Sequence, residues 1–262
     1  MSAAVATTSP TPNTTTTSSP PPADRSGPSL ALADLLAHRA DLVPPPPAAA
    51  PRRATALVPG AGRAHDARLL AGTFGYDVWV LDHRQPRRGG GGSGGAGAVG
   101  EEQWQEEGGE GGGCVTWLAA DFFDEDWSRA LGSDGSGRFD LVFDYEFLSA
   151  LPPDARPRWA KRVSQLLEPR GRLVCLEYPS STSSDNKPSG PWAVSPEAYE
   201  ALLSAPGEAP SYAPDGAVVS TACSRPRVDA LHRLSIIKPT RTHAVGTAED
   251  GSVLDFISVW AR

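Results

Sequence analysis

The sequence has little of what marks a secreted, membrane-spanning or nucleic-acid-binding protein. Its three cysteines, Cys114, Cys175 and Cys223, show no CxxC or zinc-type spacing. They make neither a disulfide framework nor a metal motif, and fit free thiols in a reducing compartment. No basic run is longer than a pair and the net charge is −7, so phosphate backbones and anionic lipids find little to attract them. No apolar run approaches the roughly 20 residues needed to span a bilayer. The first 24 residues contain no basic residue, unlike a signal or transit peptide. The expectation is a cytoplasmic, monomeric protein with a small-molecule partner, no nucleic acid, no membrane and no metal.

Glycine and proline are plentiful, at 27 and 26 residues, and they gather in a few stretches. Residues 1–28 are mostly Ser, Thr, Ala and Pro, with too little apolar surface to offset the entropy of ordering, and are expected to be a disordered tail. Residues 29–262 form one domain with two insertions. The first, 89–113, is glycine-rich and carries Glu101, Glu102, Glu106, Glu107 and Glu110. It reads as a solvated flexible loop, in which only Ala96 to Glu107 offers a frayed helix. The second, 180–228, is a polar loop, a short helix from Pro196 to Leu203 capped by Ser195, and an irregular stretch.

Elsewhere strands alternate with helices. Ala54 to Val58, Val78 to Leu81, Val115 to Leu118, Phe139 to Phe143 and Arg172 to Glu177 read as strands, with helices at Ala64 to Gly72 and Arg156 to Leu167. That rhythm predicts a mostly parallel sheet. Gly171 is expected in the turn before the strand that starts at Arg172. Ahead of the sheet, Pro28 to Ala40 forms an amphipathic helix with Ser29 as its cap. After it, Ala230 to Ile237 and Leu254 to Trp260 make an antiparallel pair at the edge.

Four places at the strand ends carry chemistry. Gly60-Ala61-Gly62-Arg63-Ala64 follows an apolar strand and opens a helix, so its backbone can approach a ligand closely. His65 stands where a nicotinamide fingerprint needs a small residue. Asp82, about twenty residues on, is placed to accept both hydroxyls of a ribose, or to cap a turn. Asp121 and Phe122 follow the next strand, as an adenine site or as a loop acid beside a core ring. Asp144 and Tyr145 follow the fourth, presenting a carboxylate and an aromatic ring to the centre of the crevice, with core packing of Tyr145 and Phe147 as the competing account.

The runs ALVPGAGRAHD, FGYDVWVLD, ADFFDEDW, FDLVFDYEFLSALPPDARPRWAKRVSQLLEPRGRLVCLEYP, GPWAVSPEAYEALL and DFISVWAR resemble the thiopurine S-methyltransferase family, in its thiol, thiocyanate and halide methyltransferase branch. The resemblance implies an α/β, Rossmann-like class I methyltransferase: a mostly parallel seven-stranded sheet with an antiparallel C-terminal strand. It implies S-adenosyl-L-methionine as cofactor and a small soft nucleophile as acceptor. It assigns Gly60 and Gly62 to the methionine moiety, Asp82 to the ribose, Asp121 and Phe122 to the adenine, and Asp144 and Tyr145 to the sulfonium. No catalytic side chain is singled out. The run Asp24 to Leu32 is similar to the end of the family's tryptophan-containing lid, with Ala23 where that tryptophan stands. That departure, and Ala64 where the family has glycine, supply the competing expectation of a non-catalytic paralogue with the same fold.

Overall fold

The computed structural model describes residues 27–46, 52–82, 100–102, 112–129, 131, 136–177, 191–214, 217–219 and 227–262. The expected tail up to residue 26, most of the insertion 89–113 and the loop 180–190 lie outside the described residues.

The chain runs α1 (Leu30–His38), β1 (Thr55–Pro59), α2 (His65–Gly72), β2 (Asp77–Leu81), β3 (Gly100–Glu102), β4 (Val115–Leu118), α3 (Asp126–Arg129), β5 (Phe139–Tyr145), α4 (Phe147–Ala150), α5 (Arg156–Leu166), β6 (Leu167–Glu177), α6 (Pro196–Ser204), β7 (Ser211–Tyr212), β8 (Val218–Val219), β9 (His232–Ile237) and β10 (Phe256–Ala261). The main sheet has the order β3-β4-β2-β1-β5-β6-β10-β9. β10 runs antiparallel to both of its neighbours, β6 and β9, while β4, β2, β1, β5 and β6 are parallel. All seven expected strands are present, and the antiparallel C-terminal pair lies where the sequence put it.

Every residue of β1 is buried, as the apolar run from Ala56 requires of a strand covered on both faces. α1 and α2 pack on one face, through Leu32, Leu35, Ala67 and Leu70. α5 and α6 pack on the other, through Trp159, Val163, Tyr199 and Leu202. Ser29 caps α1, accepting from the Leu32 amide at 3.2 Å. Ser195 does the same for α6 through Ala198, also at 3.2 Å.

Several expectations are corrected. The stretch expected to supply a frayed helix instead contributes β3, an eighth strand antiparallel to β4. Gly100-Glu101-Glu102 has no apolar periodicity, and its backbone pairs along the edge of β4. Within the stretch expected to be irregular, β7 and β8 form a small hairpin. Gly171 lies inside β6, where a Cβ would come within 2.9 Å of the Phe139 carbonyl oxygen; glycine serves close strand approach there, not a turn. Among the described residues no helix is long and apolar enough to cross a membrane, and no group of three or more His, Cys, Asp or Glu is placed to hold a metal ion.

Candidate functional site

The C-terminal ends of β1, β2, β4 and β5 converge, and the sequence-derived residues lie along that edge. Gly60 and Gly62 have φ of +64° and +54°, and Ala64 has +55°. Left-handed backbone costs an L-residue about 1–2 kcal/mol, which glycine avoids and Ala64 bears. The Gly60 amide donates to the Leu81 carbonyl at 2.7 Å, extending the β1–β2 ladder into the turn. A Cβ on Gly60 would lie 2.8 Å from Phe147 Cδ2, so close approach and backbone conformation both demand glycine.

Asp82 follows directly, its amide donating to the Leu118 carbonyl at 3.1 Å. Pro59 pairs with Leu81, so Asp82 lies one step beyond that pair, beside the glycine turn. This is the adjacency expected of a turn and a carboxylate serving one ligand.

Asp121 is exposed. Its Oδ1 accepts from the Phe123 amide at 2.9 Å and its carbonyl from Trp127 Nε1 at 3.0 Å. Phe122 is buried, its ring edge-on to Phe147 at 4.9 Å. Phe147 in turn abuts Gly60, so one aromatic wall joins the glycine turn to the Asp121 loop. Arg162, a buried residue of α5, fixes that loop from beneath. Its guanidinium donates to the Phe122 carbonyl at 3.3 Å, the Asp124 carbonyl at 2.9 Å and Ser128 Oγ at 2.8 Å. Nothing in the sequence marked Arg162, because a charged helix residue ordinarily faces water.

The structure separates Asp144 from Tyr145. Consecutive strand residues point to opposite faces, and β5 runs through both. Asp144 turns into the core beneath α5, accepting from Trp159 Nε1 at 2.8 Å and from the Leu148 amide at 3.2 Å. Burial pushes its carboxyl up to about 6, against the pull of those donors. Asp144 is therefore an anchor between β5, α4 and α5, and the expectation that it lines the crevice is corrected. Tyr145 goes the other way. Its hydroxyl lies 3.0 Å from His243 Nδ1, with the rings stacked at 5.7 Å.

Next comes Glu146 at φ +66°, which with Ala64 completes the left-handed non-glycine residues among those described. Both occupy strand-to-helix corners on this edge, where stored strain is a common feature of functional sites. At the end of β6, Glu177 is buried and its carboxylate oxygens have no hydrogen-bond partner. Burial pushes it up to about 7, with Ser258 and Arg233 pulling it down.

Residues 102–221 match the family model described as Thiopurine S-methyltransferase (TPMT). That stretch carries the thiopurine S-methyltransferase family pattern. Among curated relatives, the Arabidopsis thaliana "Probable thiol methyltransferase 2" is 39% identical over 88 residues, which is 34% of each chain. The Brassica oleracea "Thiocyanate methyltransferase 1" is 45% identical over 65 residues, 25% of this chain and 27% of that one. The chain thus spans about a third or less of the length of the curated relatives it matches. A solved Burkholderia thailandensis 1,6-didemethyltoxoflavin-N1-methyltransferase is similar with a TM-score of 0.46 and 18% identity, over 80% of this chain and 71% of that one. The thiopurine S-methyltransferase match includes Asp121, Phe122, Asp144 and Tyr145, and stops short of His243.

Proposed function

We propose that this protein is an S-adenosyl-L-methionine-dependent methyltransferase that methylates a small soft nucleophile: a thiol, thiocyanate or a halide. The observation that carries the reading is the adjacency of the glycine turn to Asp82, on neighbouring strand ends of the sheet's C-terminal edge. In open α/β sheets that edge is where ligands bind. The similarity to a thiol methyltransferase and a thiocyanate methyltransferase supports the acceptor class.

The residues suit the cofactor. Gly60 and Gly62, both at positive φ, let the chain turn tightly at the end of β1, beside Asp82. Gly60 and Gly62 would hold the methionine moiety, Asp82 would accept from the ribose hydroxyls, and Asp121 with Phe122 would border the adenine. When bound, S-adenosyl-L-methionine supplies a methyl group already activated on its sulfonium. What remains for the chain is alignment and exclusion of water, which contributes about 7–11 kcal/mol in favourable intramolecular models. Tyr145 and the Phe122–Phe147 wall would provide the enclosing surface. The net charge of −7 and the free Cys114 and Cys175 support a cytoplasmic setting, and a monomer acting on a small molecule is the simplest form of the reading.

The test is direct. Purified protein is incubated with methyl-deuterated S-adenosylmethionine and, separately, a thiol, thiocyanate or iodide, and labelled products are sought by mass spectrometry. A labelled methyl thioether, methyl thiocyanate or methyl iodide is the expected result. No product with any acceptor would favour the non-catalytic paralogue.

A further inference from the structure

The 238–255 loop between β9 and β10 works as a clip: of three consecutive residues, Arg241 and His243 reach other parts of the molecule and Thr242 ties the loop to itself. Arg241 forms a two-pronged ion pair with Asp34 of α1, at 2.8 and 2.6 Å. Thr242 donates to Asp255, whose carboxylate presses against Gly246 so closely that a Cβ there would overlap it. His243 bridges the end of β5 and the segment ahead of α1: Nδ1 lies 3.0 Å from the Tyr145 hydroxyl and Nε2 lies 3.1 Å from the Gly27 carbonyl oxygen. Gly27 and Pro28 were expected to belong to the loose tail. Instead they begin a strap, tied two residues later where the Ser29 amide donates to Asp66 of α2 at 2.6 Å.

The hydrogen-bond chemistry fixes the direction of the bridge. A carbonyl oxygen can only accept, so Nε2 carries the proton, and in the neutral ring Nδ1 must then accept from the Tyr145 hydroxyl. We infer that His243 is a positioning residue that latches the strap Gly27–Ser29 onto Tyr145, so that strap closure and the orientation of Tyr145 are one event. This deepens the methyltransferase reading, on which its functional consequence rests. A strap tied to the residue at the crevice shares its closing free energy with whatever ligand Tyr145 helps to enclose.

The experiment is hydrogen exchange of the full chain, read by mass spectrometry at the Ser29 amide of the strap and at the Leu32 amide that donates to Ser29 Oγ, first without ligand. Tyr145→Phe, which cuts one leg of the latch, should speed strap exchange about fivefold, and His243→Ala somewhat more. The two changes together should exceed His243→Ala alone by nothing measurable, because the leg is already cut. His243→Gln, whose side-chain amide supplies both an N–H donor and a carbonyl acceptor, should restore part of the protection. Amides of β1 and β5 should stay at wild-type rates in each variant, which a merely structural role for the ring would not produce. Wild-type strap exchange in Tyr145→Phe, or an additive double variant, would overturn the latch. Repeating the series with S-adenosylhomocysteine separates the two claims. If the methyltransferase reading fails, the ligand alters no rate, while the ligand-free comparison still decides the latch.

Discussion

Glu177→Gln should stabilise the protein, and only above the acidic range. Alternation along β6 places Glu177 on the face of Leu173 and Cys175, against the α6 layer. Its oxygens are buried without hydrogen-bond partners, and the groups acting on it are Ser258 and Arg233, which favour the charged form, and Glu197 and Glu200, which oppose it. Burial wins, moving the carboxyl from an ordinary 4.5 to about 7. Between those values the unfolded chain has lost a proton that the folded chain keeps, so stability falls as pH rises. At about 1.4 kcal/mol per pH unit, the full penalty above pH 7 is about 3 kcal/mol. Glutamine is neutral throughout and escapes it. In urea or thermal melts the variant should match wild type near pH 4.5 and exceed it by up to about 3 kcal/mol at pH 8, or roughly 6–12 °C in a domain of this size. A stability difference that does not change with pH would refute the reasoning.

Three further substitutions probe the strand ends. Gly60→Ala forces a left-handed alanine and pushes its Cβ into Phe147; a loss of about 2 kcal/mol, or roughly 4–8 °C in the thermal midpoint, is expected. Glu146→Gly relieves a left-handed side chain at φ +66° and should gain about 1 kcal/mol in urea midpoints, while an unchanged midpoint would mean that the strain is not stored there. Trp159→Phe removes the donor that holds the buried Asp144 carboxylate and should cost about 1–3 kcal/mol at pH 8. The cost should shrink below pH 6, because burial already sets Asp144 to titrate at about 6 and its neutral form needs the donor less. Denaturation at the two pH values reads the difference.

How much of this was legible depended on where apolar pattern decides structure. The strands of the sheet centre could be read because each is a short buried run, and Ser29 and Ser195 were recognisable caps because each sits just ahead of a helical pattern. The glycine turn and Asp82 were legible together, since a turn after one strand and an acid after the next meet wherever the two strands pair. Asp144 misled because the sequence reading ended its strand at Phe143, leaving Asp144 and Tyr145 in a loop where both could face the crevice. The strand continues to Tyr145, and alternation then allows only one of them to do so. β3, β7 and β8, of two or three residues each, are too short to leave a pattern. His243 and Arg162 act through partners 98 and about 40 residues away, contacts that no local spacing encodes.

The central claim is that the crevice beside Gly60 and Asp82 holds an S-adenosyl group, and titration calorimetry with S-adenosylhomocysteine tests it most directly. Saturable binding at one site is expected, weakened by about 1–3 kcal/mol in Asp82→Ala, which removes the acceptor proposed for the ribose hydroxyls. No heat of binding at high ligand concentration, or equal affinity in wild type and Asp82→Ala, would contradict the account.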